Sequence, residues 1–416
     1  MMLKRLTISL LAVAGMMGIV SCVSDNFTEC PEPSRENAPM VNLTFSVVAP
    51  STTGSVSSRA QNGTIITIPD DDNYFGKEDS KFELIHTLRV IIVRPNTNIV
   101  EHNKKYILSD AGAAYYDDMN FLVEGNETKR IILFANEEGV TNTDGTPFDF
   151  DQFKEGTAYN GSIVAGLQLN AAPNGVLIDN TQEGNEKFIP MCEEHRVFVK
   201  EPLHPEDYDQ IVEVPLFMTR AAVKFSFTFE AEYGEGIYLQ DLTLNGVANT
   251  EYFMPNNTVY SPAKGLVTSL PFDGFNRTPD DRNGHFITSY DVPGQATVSP
   301  IKFDFSDKPI ALTTSPVEFS PALYFCETKK VVAGSNTPYT ANITILTQDV
   351  DGNLVDPYTF DDVALPNLPI LPRNTHVLVH VKLTGADIAC EVELVPYKEV
   401  VLTPSFGFDE LNPGNN

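Results

Sequence analysis

The sequence alternates apolar and polar residues in the stretch Val41-Asn42-Leu43-Thr44-Phe45-Ser46-Val47-Val48. Successive side chains of a β-strand point to opposite faces of a sheet, so Val41, Leu43, Phe45 and Val47 share one face. This pattern predicts a half-buried strand with its apolar face against a core. It sets the first element of the fold.

Similar runs of β-branched and aromatic residues recur along the chain, separated by turn residues. The sequence holds 26 Phe and 15 Tyr but no Trp, and 29 Pro and 26 Gly interrupt it often. This composition is typical of antiparallel β-sandwiches. We expect an all-β protein with further strands at Leu88–Arg94, Arg130–Ala135, Arg196–Lys200, Ile211–Phe217, Ala222–Phe229, Tyr238–Leu244, Ile301–Phe305, Val317–Phe325, Ala341–Leu346, His376–Leu383 and Ile388–Val395.

The length of 416 residues predicts two domains once targeting segments are set aside. The stretch Pro202–Asp209 is rich in proline and charge and is typical of a loop. It predicts a boundary near residue 212, which gives an N-terminal sandwich over 60–211 and a C-terminal sandwich over 212–416.

Charge and motifs exclude several classes of function. The net charge of −28 would repel nucleic acid, so we expect no nucleic-acid partner. The sequence contains no P-loop, no dinucleotide-binding fingerprint and no G-x-S-x-G elbow. His376 and His380 have HxxxH spacing but lie on a predicted strand, whereas a zinc protease needs them on a helix. We therefore expect no enzyme activity, no metal and no cofactor.

The N-terminus has the features of a lipoprotein signal peptide over residues 1–21. Lys4 and Arg5 precede an apolar run from Leu6 to Val20, which is too short to span a bilayer comfortably. The run ends in Ile19-Val20-Ser21-Cys22, which is similar to a bacterial lipobox. We expect Cys22 to carry the lipid and to attach the chain to the outer membrane. The alternative is ordinary secretion with an incidental cysteine at this position.

The lipobox, the early alternating strand and the stretch Ser57-Ser58-Arg59-Ala60 together resemble the fimbrillins of Bacteroidales-type pili, the FimA-like family. The resemblance spans most of the chain. Further segments that carry it are Leu88–Val93, Arg130–Asn136, Ile189-Pro190-Met191, Leu216–Val223 with Arg220-Ala221-Ala222, Arg373-Asn374-Thr375-His376, and Val395–Phe408.

The resemblance implies two transthyretin-like sandwiches in tandem and an assembly mechanism. In that family an Arg-specific protease removes the first strand after lipidated export, which here places the cut between Arg59 and Ala60. Residues 22–59 would then be a tether and propeptide, and Val41, Leu43, Phe45 and Val47 would leave with it. The emptied groove would accept a strand from the next subunit, giving a cell-surface fimbrium. The expected partners are copies of this chain and anchor or tip subunits.

A second alternating segment near the C-terminus fits the part of the incoming strand. Val400, Leu402, Phe406 and Phe408 share one face with Pro404, as the apolar residues of the first strand share theirs. One segment could therefore replace the other in the same groove. We expect residues from about 395 to 410 to be donated.

Two other interpretations remain open at this stage. The opening Cys22–Pro31 also resembles the start of the anchor subunits of these pili, which keep their lipid and are not cut. A monomeric surface lipoprotein that binds a glycan or a host or bacterial surface protein is the third possibility. Among the cysteines, a Cys326–Cys390 bridge and separate buried thiols, including Cys192, are both compatible with the sequence.

Overall fold

The computed structural model describes the chain from Pro39 to Pro396 with several gaps. The described residues are 39–49, 58–59, 65–66, 81–178, 187–204, 208–212, 216–233, 236–254, 257–261, 265–267, 286–290, 298–328, 339–365, 371, 373–384 and 387–396.

The described part is built almost wholly of β-strands, as the sequence predicts. They are β1 (Met40–Thr44), β2 (Val47–Val48), β3 (Ser58–Arg59), β4 (Ile65–Ile66), β5 (Thr87–Arg94), β6 (Ile99–Ile107), β7 (Tyr115–Tyr116), β8 (Asn120–Glu124), β9 (Glu127–Ala135), β10 (Gln168–Asn170), β11 (Met191–Val199), β12 (Asp209–Ile211), β13 (Leu216–Phe217), β14 (Thr219–Arg220), β15 (Val223–Ala231), β16 (Ile237–Ala248), β17 (Thr250–Tyr252), β18 (Asn257–Ser261), β19 (Gly265–Val267), β20 (Phe286–Tyr290), β21 (Val298–Asp304), β22 (Ile310–Ala311), β23 (Val317–Phe325), β24 (Thr340–Gln348), β25 (Leu354–Ala364), β26 (Thr375–Thr384) and β27 (Asp387–Pro396). Helical structure in the described ranges is a short α-helix, α1 (Gly161–Ala165), and three 3-10 turns at Lys81–Glu83, Glu137–Gly139 and Phe150–Gln152.

The N-terminal sandwich packs a five-stranded sheet against two three-stranded sheets. The large sheet has the order β14-β11-β9-β5-β6, and the opposing layer consists of β12-β1-β8 and β13-β2-β7. The core between the layers contains apolar side chains from both, among them Leu43 of β1, Val90 of β5 and Leu133 of β9.

The centre of the large sheet is buried on both faces. Alternate residues of its central strands, such as Ile91 and Phe134, point away from the first core into a second one. Side chains from the segment after β9, including Phe150 and Leu167, cover this second face. Burial on both faces explains why Val90–Val93 is a continuous apolar run and does not alternate.

The C-terminal sandwich packs two sheets around its own core. One has the order β23-β15-β26-β27 and the other β21-β16-β24-β25, with β22 paired to β16. Phe225, Phe227 and Phe229 of β15 point into the core, where Leu242 and Ile343 of the other sheet lie. The prediction of antiparallel sandwiches is confirmed, with three parallel pairs among the described strands: β1 with β12, β2 with β13 and β15 with β26.

The two sandwiches share contacts within one compact unit that begins at Pro39. Strand β10 of the N-terminal half pairs with β17 of the C-terminal half. Phe253 and Tyr324 of the C-terminal half lie in the second core of the N-terminal half. Strands β13 and β14 pair with β2 and β11, so the N-terminal sheets recruit residues up to Arg220. The domain boundary at residue 212 stays a prediction.

Several strands have no counterpart among the sequence-based expectations, among them β6, β25 and β8. β6 has exposed or half-buried side chains along most of its length, and so has β25. Strands of this kind lack the apolar alternation that marks a half-buried strand. Strand β8 is a five-residue strand in which Phe121 and Val123 are the buried members.

Candidate functional site: the groove around the first strand

The first strand lies in the middle of its layer and is paired on both sides. β1 runs antiparallel to β8, with Leu43 opposite Phe121, and parallel to β12, with Leu43 beside Gln210. β2 continues the arrangement between β7 and β13. If β1 and β2 were removed, both neighbours would expose an edge, and the space between them would be a groove one strand wide.

Backbone hydrogen bonds fix the direction of each residue in this strand. The carbonyl oxygens of Thr44, Ser46 and Val48 accept hydrogen bonds from the backbone N–H groups of residues 212, 216 and 218, at 2.8, 2.8 and 2.9 Å. Even-numbered residues therefore face β12 and β13. Because backbone groups alternate sides along a strand, odd-numbered residues face β8 and β7, as the Ala49 N–H does when it donates to the Ala114 carbonyl at 2.9 Å.

The apolar face of the strand is completely buried. Val41, Leu43, Phe45 and Val47 are each at most 1% exposed and belong to the core of the N-terminal sandwich. The Phe45 ring stacks on Phe121, with centroids 5.5 Å apart and an interplanar angle of 12°. Burying four such side chains contributes about 6–12 kcal/mol before entropy is subtracted. The N-terminal sandwich is thus complete with this strand in place.

The strand has no charged residue between Pro39 and Ala49. Its side chains therefore form no ion pair with the groove. The polar contact that Asn42 makes is a hydrogen bond from its Nδ2 to the Asp209 carboxylate, 2.8 Å long and exposed to solvent. Apolar packing and backbone hydrogen bonds hold the strand, and another uncharged strand could reproduce both.

The backbone at Gly125 lies close to the start of the first strand. The Gly125 N–H donates to the Pro39 carbonyl at 2.8 Å. A Cβ at Gly125 would lie 2.8 Å from the Lys200 carbonyl oxygen and 3.0 Å from the Val41 side chain. Any larger residue would push the strand away from β8, so glycine shapes this end of the groove.

The walls of the groove contain an irregularity opposite Phe45 and Ser46, which belong to neither β1 nor β2. Thr44 is opposite Asn120, whereas Val47 is opposite Tyr116. Three steps along the first strand thus correspond to four along its antiparallel neighbour, which is the signature of a β-bulge. The extra residue lies within Asp117–Met119, where the Met119 N–H donates to the Asp117 carbonyl at 2.9 Å.

Of the remaining site residues predicted from the sequence, the structure describes only Arg59. Arg59 ends the two-residue strand β3, where it is opposite Ile65 of β4. Cleavage after Arg59 stays a prediction, as does displacement of the first strand. The other predicted site residues lie outside the described residues: Cys22, Ala60, Val400, Leu402, Phe406 and Phe408.

The walls β7, β8, β12 and β13 are the part of the site that sequence reasoning missed. The apolar run Phe121-Leu122-Val123 between Asn120 and Glu124 is the available sequence signal for β8, although Leu122 is exposed there. β12 and β13 are three and two residues long, so their patterns were too short to separate. Ile211–Phe217 was predicted as a single strand.

A buried charged cluster joins the two sandwiches near the 3-10 turn Lys81–Glu83. Lys224 of β15 donates to the Glu83 carboxylate at 2.7 Å, and the Tyr324 hydroxyl donates to the same carboxylate at 2.6 Å. The Arg220 guanidinium donates to the Glu83 carbonyl at 2.9 and 3.1 Å. Burial alone would raise the pKa of Glu83, but Lys224 and Arg220 outweigh it and lower that pKa to about 2.

A second charged cluster surrounds Arg373, which comes just before β26. Its Nε donates to the Glu327 carboxylate at 3.0 Å, and its Nη1 donates to the Phe253 carbonyl at 2.7 Å. Glu251 of β17 lies 4.0 Å from the guanidinium and is also fully buried. Burial raises the pKa of both carboxyl groups, while the positive charge of Arg373 opposes the rise. Arg373 is therefore the counter-charge for two buried acids.

His376 and the cysteines of the described part occupy buried or half-buried positions. His376 is buried and shares a hydrogen bond with the Ser226 hydroxyl at 2.9 Å; burial and nearby Lys224 lower its pKa to about 4. No group of three or more metal-ligating side chains occurs among the residues that the structure describes. Cys192, Cys326 and Cys390 are free thiols, so the alternative of a Cys326–Cys390 bridge is wrong. Burial raises the pKa of all three thiols, which keeps them protonated.

Neither a protein-family model nor a curated protein sequence matches the chain. The solved structures that resemble it are fimbrial and cell-adhesion proteins. The tip fimbrial protein Mfa3 from Porphyromonas gingivalis, with a C-terminal truncation, is 12% identical, and the match covers 86% of this chain and 100% of that chain with a TM-score of 0.45.

Two proteins of Parabacteroides distasonis ATCC 8503 are similar to a comparable degree. A candidate cell adhesion protein is 11% identical over 86% of this chain and 99% of that chain, with a TM-score of 0.47. A fimbrial assembly protein is 10% identical over 86% of this chain and 99% of that chain, with a TM-score of 0.39. At these identities the likeness concerns the fold and assigns no role to any residue.

Within the described ranges, no helix has the length and apolar character needed to cross a membrane.

Proposed function

We propose that this chain is a structural subunit of a cell-surface fimbrium. It is exported as a lipoprotein precursor acylated at Cys22, cut between Arg59 and Ala60, and joined to the next copy by exchange of its first strand. The observation that carries the proposal is the state of that strand: it fills the core of the N-terminal sandwich, is paired on both sides and has no charged residue.

The position of Arg59 supports removal of the strand as a unit. Arg59 follows the last described residue of the first strand by ten positions, so cleavage there would detach β1 and β2 together without touching the walls of the groove. The detached strand would leave two open strand edges and an unfilled core. Exposed edges of this kind readily pair with another extended chain.

The C-terminal segment supplies a replacement of the same character. Residues 400–408 are uncharged and place apolar side chains on alternate positions, as residues 41–49 do. Because buried apolar area and ladder bonds are gained again, the exchange restores a complete sandwich made from two chains. Copies joined in this way form a polymer. The precursor would be anchored in the outer membrane, and the polymer made from it would be the fimbrium on the cell surface.

The test uses the full-length precursor exported by cells that assemble it. Protein sheared from the cell surface is analysed by N-terminal sequencing and by gels run without boiling, on which strand-exchanged polymers form ladders. The wild-type chain is expected to begin at Ala60 and to form a ladder. Arg59→Ala should retain the first strand and remain monomeric, whereas the matched change Arg35→Ala, which lies before the strand, should leave the ladder intact.

A pair of C-terminal variants tests the donated strand separately. Leu402→Asp places a charge on the apolar face and should abolish the ladder, while Thr403→Asp places the same charge on the opposite face and should retain it. A full-length, acylated chain that forms no ladder in any variant would contradict a shaft role. It would instead support the uncut anchor or the monomeric surface lipoprotein that binds a glycan or a protein.

A further inference from the structure

The groove has two halves, and the first strand pairs with its neighbours in a different register in each half. Up to Thr44 the first strand follows the register of β8, and from Val47 it follows that of β7, one residue displaced. On the parallel side the displacement is larger, because Thr44 lies beside Ile211 but Val47 lies beside Leu216. Any strand that replaces β1 and β2 must bridge the same step.

The change in register arises from an extra residue in the neighbouring strands and not from the first strand itself. The extra residue on the antiparallel side lies within Asp117–Met119, where Met119 is buried in the core and Asp118 is exposed. The hydrogen bond from the Met119 N–H to the Asp117 carbonyl closes the bulge without any atom of the first strand. The bulge therefore persists when the strand leaves, and it marks one fixed point along the groove.

A proline in the incoming strand fits opposite the bulge, whereas at the positions on either side it would remove a backbone hydrogen bond. Proline has no backbone N–H, so within sheets it is confined to edges and bulges. The N–H of Leu43 faces β8 within the ladder, and that of Val47 faces β7 in the same way. Phe45, between them, lies in neither strand.

We infer that the bulge at Asp117–Met119 sets the register of the incoming strand by accepting Pro404 in the place of Phe45. This inference rests on the proposed strand exchange. Apolar side chains must face the core, so the strand can shift only by steps of two residues. A shift of two residues either way would put Pro404 in the place of Leu43 or Val47, where a ladder bond is lost.

The register assigns each apolar side chain of the donated strand to a pocket. Val400 takes the place of Val41, Leu402 that of Leu43, and Phe406 that of Val47. Phe45 and Val47 are neighbours on one face, so Pro404 with Phe406 fills nearly the same combined volume as Phe45 with Val47. Swaps that conserve volume in this way are tolerated in cores. Phe408 takes the place of Ala49. The proposed cut also removes residues 50–59, which follow Ala49, so the groove is open at this end.

A rival register is shifted by two residues and keeps the aromatic pocket unchanged. It puts Phe406 in the place of Phe45, against Phe121, but puts Pro404 in the place of Leu43. The two registers differ in which outward-facing residue lies opposite Leu122, the exposed residue of β8 that pairs with Asn42. In the assigned register it is Val401, and in the rival register it is Thr403.

Disulfide cross-linking distinguishes the registers. Leu122→Cys is combined with Val401→Cys in one full-length chain and with Thr403→Cys in another, and each single variant serves as a control. Asn42 and Leu122 form a pair without direct hydrogen bonds, in which the Cβ atoms are about 4.5–5.5 Å apart, so a cysteine pair there needs little movement to bond. After oxidation, V401C with L122C should give a ladder that survives boiling and collapses on reduction.

Each outcome decides the inference. A boiling-resistant ladder from T403C with L122C overturns the register, and so do ladders that never become covalent in either chain, although strand exchange itself would stand. Failure of the wild-type chain to form any ladder contradicts the proposed function and the register with it. As a second measurement, L402P should reduce the unboiled ladder roughly tenfold, since it adds a proline within the β8 ladder, while P404L should retain it.

Discussion

The first strand and the junction between the sandwiches are both buried, but different interactions hold them. The first strand packs through apolar side chains and backbone hydrogen bonds and has no charged residue. The junction depends on specific charged partners, with Lys224 on Glu83 and Arg373 on Glu327. Apolar pockets and backbone groups accept many sequences, whereas a buried ion pair accepts one partner. The element that we propose to be exchanged is therefore held by generic contacts, and the junction is held by specific contacts.

The largest effect is expected at Arg373. The change Arg373→Met leaves Glu251 and Glu327 buried without their counter-charge, so the free energy of unfolding should fall by about 5 kcal/mol. Urea unfolding of the uncut precursor measures this value. The control Lys302→Ala removes a half-exposed lysine that pairs with Asp241 and should cost less than about 1 kcal/mol. Similar losses in the two variants would remove the contrast between specific and generic contacts.

A smaller effect that depends on the assembly state is expected at Phe45. Phe45→Ala empties the pocket against Phe121 and should lower the free energy of unfolding of the uncut precursor by about 4 kcal/mol. The assembled fimbrium should have an unchanged melting temperature, because the first strand is no longer part of it. Asn42→Ala, on the outward face of the same strand, should change the precursor by about 0.5 kcal/mol. A fimbrium destabilised by Phe45→Ala would show that the strand is retained.

The smallest of the three effects is a change in pH dependence at Glu83. Its pKa is about 2 in the folded chain against 4.5 when unperturbed, so its ionised form stabilises the fold above pH 4.5. This stabilisation, about 3 kcal/mol, is lost as the pH falls from 4.5 towards 2. Glu83→Gln should be less stable than the wild type at pH 7 and nearly equal to it at pH 2. Unfolding curves measured from pH 7 to pH 2 test this, and a constant difference over that range would argue against the ion pair.

The sequence predicted the first strand better than the neighbouring strands that hold it. A period of two residues identified the inward face of Val41–Val47, because its apolar residues pack on a core while the polar residues between them, Asn42 and Thr44, are only half-buried. The walls are short strands distant in sequence, and pairing Leu43 with Phe121 and Gln210 depends on contacts that no local pattern encodes. The bulge at Asp117–Met119 is a difference between two registers, so it became visible only with both neighbours in place.

The charged contacts at the junction between the sandwiches could not be predicted from the sequence for a related reason. Arg373 was recognised as part of a motif, yet its partners Glu251 and Glu327 are far from it in sequence and resemble any other acidic residue of a chain that has 56 of them. Only burial separates these two carboxylates from the solvated majority. Burial of a charged side chain is a property of the complete fold and leaves no mark on local composition.

The absence of charge from the first strand also bears on the surroundings in which subunits can be joined. Dissolved ions screen interactions between exposed charges that lie more than a Debye length apart, about 8 Å at physiological ionic strength, but they leave apolar burial in place. The first strand and the segment 400–408 both lack ionisable side chains, while the whole chain carries a net charge of −28. If the proposed strand exchange joins the subunits, added salt would therefore reduce the repulsion between approaching copies without loosening the joint that links them.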